Sequence, residues 1–470
     1  MVFGWPGFVD DKMLIASYVA AAAAMLATAF YLFLRLRPYV TTTYMLVVAL
    51  LLIYGPASLI YTLTSGRPHF VISWLFFGAI NPPHEIFGRI KAKISDFDAV
   101  VISMNFSLAL MYAGVIAGIE AVGRLAPGMV ANEHIALLNW NSQRLQSESG
   151  NDRLLLGAIA AVALFMLYVS ISENHLATIT HFFSIKENDA RDLFRAHFGG
   201  STNYFYRSVL SAIAPMLVIW GLLAGVANRS WAVLLAASLL LACTLIGKLE
   251  TLSKAPVAFF VLQLSLACLL TLTNRISWKL LLIGGSTAFI FIYVTIRLVI
   301  IFPEGEDPML WTFTRLFETE NQTLLEYFAT FPQVHAHLWG ANIRPLAAVL
   351  GLSYTPSFST VAYTWFGDPD ITNPAMFIAD AWADFSYVGV IVFSILAGAI
   401  CRAIDVALLA NGKSAVAIAV LAATFWGLLT LLTTALNIAL FSGGLLLAPV
   451  LAAMLMAAGR YLAGNSLKAA

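Results

Sequence analysis

Apolar residues recur along this chain in stretches long enough to cross a membrane. A transmembrane helix needs about 20 predominantly apolar residues. Such stretches lie near residues 13–34, 41–64, 99–119, 154–172, 208–227, 231–247, 256–273, 280–302, 384–401, 414–436 and 441–459. The pattern predicts about eleven crossings. The aromatic stretch 69–80 is too short to span and is predicted to form an interfacial helix.

The composition supports this interpretation. Of the 470 residues, 60% are hydrophobic and 11% are charged, and the mean hydropathy is +0.84. Such values are far from those of a soluble domain. We therefore predict an all-α polytopic membrane protein in which residues 1–470 form a single integral membrane domain. The net charge of +1 gives no reason to expect a nucleic acid partner.

Basic residues indicate how the predicted helices are oriented. In membrane proteins, the short loops on the cytoplasmic side carry an excess of Lys and Arg. On one side of the predicted bundle the short connections hold Arg35, Arg37, Arg229, Arg275, Lys279, Arg402, Lys413, Arg460 and Lys468. This bias places the N-terminus outside, the C-terminus inside, and the large loop 303–378 on the extracytoplasmic side.

The predicted outer segments are unusually cationic. They hold Arg67, Arg89, Lys91, Lys93, Lys186, Arg191, Arg195, Arg207, Arg315 and Arg344. Clustered guanidinium and ammonium groups match the charge and geometry of a lipid diphosphate. Arg297, just inside the outer end of its helix, either lines a cavity for a lipid phosphate or reaches back to the headgroups. Lys248 and Lys254 form a second cationic pair, with pairing of a lysine to Glu250 as the alternative.

The large loop carries candidate catalytic side chains. Apolar residues between Pro308 and Pro332 recur at nearly helical spacing and predict amphipathic helices that form a lid. The stretch 351–374, rich in Gly, Ser, Thr and Pro, predicts irregular backbone. His335 and His337 lack the spacing of metal ligands, so one histidine acting as a base or a hydrogen-bond donor is favoured over a metal site.

Two carboxylates mark the start of the next predicted helix. Asp380 and Asp384 are four residues apart and should share one helix face. Either could serve as the general base, and capping of the helix N-terminus is the alternative interpretation. No P-loop, dinucleotide-binding glycine motif or H-E-x-x-H motif is present in the sequence, and no cofactor is expected.

Several segments form a combined pattern. They are the segment 254–256 opening a helix, the helix end at Arg297, the run 331–340, and above all Asn373 and Pro374 followed by 380–389. The pattern also includes 191–195, Gly199, Gly200 and 204–206, which lead into a helix containing Pro215. In this pattern the second half of the chain resembles the Wzy-type oligosaccharide repeat-unit polymerases.

This resemblance implies a GT-C-like fold in the bacterial inner membrane with its active site facing the periplasm. The implied reaction is metal-independent inverting glycosyl transfer between two undecaprenyl-diphosphate-linked oligosaccharides, building O-antigen or exopolysaccharide. A flippase and a chain-length regulator would be further partners. The implied catalytic residues are Arg297, Arg344, His335, Asp380 and Asp384. The implied diphosphate-binding residues are Arg191, Arg195, Lys254 and Arg315.

Two alternative functions fit the same pattern. An O-antigen ligase shares the lipid-linked donor and the large outer loop but transfers the glycan to lipid A core. A flippase or transporter of lipid-linked sugars is the alternative from another class. It should show internal repeats and charges deep within several helices. The charges inside the predicted helices are few and shallow, which favours surface chemistry.

Overall fold

The described part of the chain is helical. The computed structural model describes residues 11–36, 38–66, 85–146, 152–185, 188–199, 203–252, 255–275, 286, 290, 293–294, 318–369, 375–410 and 412–469. Across these ranges there are two isolated β-bridges and no strand. Eight described helical segments are long and apolar enough to span a membrane: Asp11–Leu34, Thr42–Leu63, Phe97–Leu125, Asp152–Ser172, Tyr204–Ala227, Trp231–Glu250, Phe377–Leu409 and Ala415–Thr433. The chain is an all-α multi-pass membrane protein.

Two further predicted crossings also form helices. These are Ala255–Leu272 and Leu447–Ala469, whose apolar portions are shorter. Most of the stretch 280–302 and the whole of 69–80 lie outside the described residues. The predicted number of about eleven crossings therefore stays a prediction.

The second predicted crossing is broken in the middle. It consists of the helices Thr42–Tyr54 and Pro56–Leu63, which meet at Gly55. Proline has no amide hydrogen to donate and its ring crowds the preceding turn, so a helix commonly restarts at such a residue. The Ser58 hydroxyl donates to the carbonyls of Tyr54 and Gly55, at 2.9 and 2.8 Å, and so partly satisfies the broken turn.

The chain divides into two compact units. The first contains residues 1–124, 275–402 and 431–436, and the second contains residues 125–274, 403–430 and 437–470. Besides its membrane-spanning helices, the first unit contains Glu85–Lys93, Thr319–Thr330, Arg344–Leu350 and Ser357–Phe366. The second contains Pro127–Leu138, His175–Ser184, Asn188–Phe198 and, within Tyr204–Ala227, a π-helical turn at Val209–Ile213.

Small residues bring two long helices of the first unit together. Gly114 and Gly118 of Phe97–Leu125 pack against Phe377–Leu409, so closely that a Cβ at Gly118 would overlap the carbonyl of Ile395. Gly398 makes an equally close approach to the carbonyl of Val115. Small residues spaced four apart permit such contacts between membrane helices. This packing fixes the helix that carries Asp380 and Asp384.

The described residues of the loop, 318–369 and 375–378, form more helix than the sequence predicts. Ser357–Phe366 is helical, so the prediction of irregular backbone throughout 351–374 is wrong. A contact with another helix stabilises it, because the Trp365 indole donates to the hydroxyl of Thr330, at the end of Thr319–Thr330, at 2.9 Å. Thr319–Thr330 is also a helix, but its residues 321–330 are all buried. It is a packed element of the first unit rather than a helix with one solvent-facing stripe.

Candidate active site

The candidate site is built where a loop docks onto an interrupted helix. Phe377–Leu409 begins seven residues before the predicted crossing 384–401, and it contains a non-helical residue, Ser386, at φ 56° and ψ −145°. Next to this break, two helix carbonyls accept hydrogen bonds from the loop. Leu338 N donates to Ala383 O at 2.9 Å, and Trp339 N donates to Asp384 O at 3.0 Å. The backbone of the loop thus satisfies carbonyls of the interrupted helix.

Both carboxylates of this helix bind the same loop. Asp384 Oδ1 accepts from the backbone amides of Gly340, at 3.0 Å, and Asn342, at 3.4 Å. Asp380 Oδ1 accepts from Asn342 Nδ2 at 2.9 Å and from the Ser357 hydroxyl. Asn342 Oδ1 in turn accepts from Ser357 N at 2.9 Å. Asn342 therefore connects both carboxylates to the start of the helix Ser357–Phe366.

This network bears on both interpretations of Asp380 and Asp384. The two residues do share a helix face, since both contact Asn342. Asp380 lies in the first turn of the helix, as the alternative interpretation expects, but the described hydrogen bonds of both carboxylates run to loop residues and not to the first amides of the helix. Asp384 is 0% exposed and Asp380 is 6% exposed, so both carboxylates are buried where they bind the loop.

Aromatic side chains complete the support for the loop. The Trp382 indole donates to Phe331 O at 2.7 Å and stacks on Phe328, with ring centroids 4.6 Å apart. The His337 ring meets Trp382 edge to face at 5.4 Å. Burial lowers the pKa of His337, and its contacts with the backbone of Ala383 and Trp382 oppose this effect. His337 is therefore neutral at pH 7 and packs as part of the wall.

An open groove of about 500 Å³ lies on the docked loop. His335, Tyr354, Ser359, Thr360 and Tyr363 are among its lining residues. The exposed His335 ring is held by the Thr364 hydroxyl, with 3.1 Å between Nε2 and Oγ1. Burial raises the pKa of Tyr354, so its phenol remains a hydrogen-bond donor at neutral pH. The groove combines one imidazole with several hydroxyl groups and two phenol rings.

Cationic side chains border this groove. The Arg344 guanidinium lies over the Tyr354 ring at 4.7 Å from its centroid. Lys93 Nζ donates to Thr364 O at 3.0 Å and lies 5.1 Å from the centroid of Trp365. Lys93 belongs to the cationic outer set, but the sequence alone gives no reason to place it at this site, because it lies about 240 residues before His335 and no local pattern connects them.

The other predicted residues fall into two groups. Arg191 and Arg195 belong to the second unit, where Arg191 Nε donates to Ile185 O at 2.6 Å and so helps to terminate the helix His175–Ser184. Lys248, also of that unit, is buried with its ammonium 5.5 Å from the Phe260 ring centroid and 5.7 Å from that of Trp426. Arg297, Arg315 and Lys254 lie outside the described residues.

The fold and this site define a multi-pass helical membrane protein with a polar, histidine-containing groove in a loop region. Comparisons with protein-family models, with curated proteins and with solved structures find no match to the chain. Within the described residues, a cluster of at least three His, Cys, Asp or Glu side chains that could bind a metal ion is found in the second unit. No such cluster is found among the described residues at the groove.

Proposed function

We propose that this protein is a polysaccharide polymerase of the bacterial inner membrane. It joins undecaprenyl-diphosphate-linked oligosaccharide repeat units by inverting glycosyl transfer on the periplasmic face, within a GT-C-like bundle of about eleven helices. The observation that carries this proposal is the groove at His335, where an imidazole, hydroxyl groups and aromatic rings are bordered by Arg344 and Lys93.

The groove supplies groups suited to each part of a lipid-linked glycan. Phenol and hydroxyl side chains such as Tyr354, Tyr363 and Ser359 can pack against sugar rings and exchange hydrogen bonds with their hydroxyl groups. Arg344 and Lys93 offer charge-assisted hydrogen bonds to a diphosphate. In the proposed reaction, the donor and the acceptor each carry both sugar rings and a diphosphate.

The proposed reaction needs a base and a cationic site for the leaving group. In the transfer, a hydroxyl group of the acceptor attacks the anomeric carbon of the donor from the face opposite the lipid diphosphate. The acceptor oxygen loses its proton and the bond from carbon to the diphosphate oxygen breaks. We assign the proton to His335, because its ring lies in the open groove. Arg344 and Lys93 stabilise the charge that develops on the departing diphosphate, so the step is metal-independent.

The buried carboxylates have a positioning role in this proposal. Asp384 holds the loop that carries His335 through the amides of Gly340 and Asn342, and Asp380 holds the start of the helix Ser357–Phe366. They are therefore revised from candidate bases to residues that shape the groove. The roles of Arg191, Arg195, Lys254, Arg297 and Arg315 in diphosphate binding remain predictions.

The test is a surface-polysaccharide gel of the host bacterium with and without this protein. Loss of long chains, with single repeat units still reaching their acceptor or accumulating on lipid carrier, supports a polymerase. Long chains that persist on lipid carrier without reaching their acceptor would identify a ligase instead. Flux of lipid-linked sugar across the membrane without chain growth would identify a transporter.

The His335→Ala variant tests the site itself. Complementation with this variant should reduce polymer by about 10²- to 10⁴-fold at normal protein abundance, because general-base catalysis contributes about that much. His181→Ala is the matched control, since His181 is also an exposed histidine against an aromatic ring but belongs to the second unit. Full polymer formation by His335→Ala would remove this residue from the reaction.

A further inference from the structure

Three metal-compatible side chains meet in the second unit. Glu173 follows the helix Asp152–Ser172, His175 begins the helix His175–Ser184, and Glu250 ends the helix Trp231–Glu250. One ligand atom from each residue can be chosen so that all three lie within 4.8 Å of one another. None of these residues belongs to the groove at His335, so the cluster raises a separate question.

The distances within this cluster fit a coordination sphere. His175 Nε2 lies 3.2 Å from Glu173 Oε2 and 3.6 Å from Glu250 Oε1. Bonds of about 2.0–2.2 Å from zinc to imidazole nitrogen or carboxylate oxygen, at tetrahedral angles, place neighbouring ligand atoms about 3.3–3.6 Å apart. The two contacts of His175 therefore match the separation that a shared divalent cation would set.

A hydrogen bond from His175 alone leaves part of this arrangement unexplained. A single imidazole N–H can point well at one carboxylate, but Nε2 faces two. His175 is 2% exposed, and its Nδ1 has no hydrogen-bond partner among the described residues. A cation bound at Nε2 would instead contact both carboxylates.

Tyr206 provides a second, independent observation. Its ring centroid lies 5.6 Å from that of His175, and a Cβ at Gly247 would lie 2.5 Å from its hydroxyl, which places that hydroxyl beside the helix turn leading to Glu250. Tyr206 is 1% exposed, and in the described structure its hydroxyl is a buried group without a hydrogen-bond partner. A water molecule or hydroxide on a bound cation would give this hydroxyl a partner.

We propose that Glu173, His175 and Glu250 bind one divalent transition-metal ion, with zinc as the best match to one imidazole and two carboxylates. Water fills the fourth position, and Tyr206 orients it. The side chain of Glu173 is 37% exposed, which gives the ion a path from solvent. The bound ion would join the segment between two helices of this unit to the end of a third. This inference goes beyond the proposed polymerase reaction and does not depend on it.

The experiment is metal titration of the full-length protein, purified in detergent and stripped with a chelator. Zinc should bind with one ion per chain in calorimetry, and Co²⁺ should give the visible absorption of a four-coordinate site. His175→Ala should weaken zinc binding by at least about 100-fold, because it removes a direct ligand. Tyr206→Phe should weaken it by about tenfold, as expected for a group that orients a ligand.

The matched control is His181→Ala, an exposed histidine on the same helix as His175, which should bind zinc as the wild type does. If His175→Ala does not fold, Glu173→Gln tests the same site from its exposed side. Absence of saturable zinc binding would overturn the proposal, as would equal binding by wild type and His175→Ala. In that case the contact between His175 Nε2 and Glu173 Oε2 is a hydrogen bond without a cation.

Discussion

The carboxylates of the first unit and those of the second contact different kinds of partner. Asp384 and Asp380 accept hydrogen bonds from backbone amides, an asparagine side chain and a serine hydroxyl, all of which are donors. Glu173 and Glu250 instead face the same nitrogen of His175. The Oδ1 atoms of Asp380 and Asp384 are occupied by donors of the fold, whereas two carboxylates on one imidazole nitrogen form the kind of donor set that binds a cation. The contrast separates a carboxylate that positions a loop from one that binds a ligand.

The largest effect should come from exchanging one carboxylate for an amide in each unit. Asp384→Asn should lower the free energy of unfolding by about 1–3 kcal/mol with or without zinc, because it weakens charge-assisted bonds and buries an unpaired amide donor. Glu173→Gln should lower the free energy of unfolding, relative to the wild type, only when zinc is present. Zinc at 100 times its dissociation constant stabilises the wild type by about 2.7 kcal/mol, and this gain is what Glu173→Gln would lose.

The measurement is denaturant-induced unfolding in detergent, with and without zinc, for the wild type and both variants. A zinc-dependent loss in Asp384→Asn, or a zinc-independent loss of similar size in Glu173→Gln, would contradict the division of roles between the two units.

A smaller loss of stability should come from a substitution in the loop that Asp384 binds. Gly340 has φ +95°, and a Cβ there would lie 2.8 Å from Leu346 Cδ2. Gly340→Ala should therefore destabilise the protein by about 2 kcal/mol through backbone strain and crowding. Gly351→Ala is the matched control, because Gly351 has φ +68° in the same loop and, in the described structure, its added Cβ would have no neighbour within 4 Å. It should cost about 1 kcal/mol.

Thermal unfolding and polymer gels of both glycine variants would check this. If Gly351→Ala proves the more damaging of the two, the close packing at Gly340 does not support the groove.

The smallest effect should be a pH dependence that arises in the first unit. Burial lowers the pKa of His337 in the folded protein below its ordinary value of about 6.5. The unfolded chain therefore binds a proton first as the pH falls, so stability is complete above about pH 6.5 and is lost as the pH decreases through the folded pKa.

Unfolding curves between pH 5 and pH 8 should show a slope that His337→Gln reduces. An unchanged slope in this variant would mean that His337 is accessible and titrates normally in the folded protein.

The spanning helices could be predicted from sequence because bilayer thickness imposes a length on apolar segments. The start of the helix Phe377–Leu409 could not be predicted from the sequence. Asp380 and Asp384 interrupt the apolar pattern there, and loop residues distant in sequence stabilise them. The helix Ser357–Phe366 was missed for a related reason. Its glycine- and serine-rich surroundings favour a loop, and contacts of Ser357 and Trp365 with other segments outweigh that preference.

The candidate site was partly predictable. The four-residue spacing of Asp380 and Asp384 was enough to place them on one face, since helix geometry alone determines this. Their partners Asn342 and Ser357, and the approach of Lys93 to Thr364, depend on contacts between residues distant in the chain, for which a single sequence holds no local signal. The cluster at His175 was missed because its third member, Glu250, is about 75 residues away.

The interruption at Ser386 has a consequence for how the groove could change its ligand. The bonds from Leu338 N and Trp339 N to the carbonyls of Ala383 and Asp384 are made by the main chain. Because every residue except proline carries the same amide, these anchors place little demand on side-chain identity. The side chains of Leu338 and Trp339 are therefore free to diverge, so that the groove can acquire preferences for different ligands while the loop stays attached in the same way.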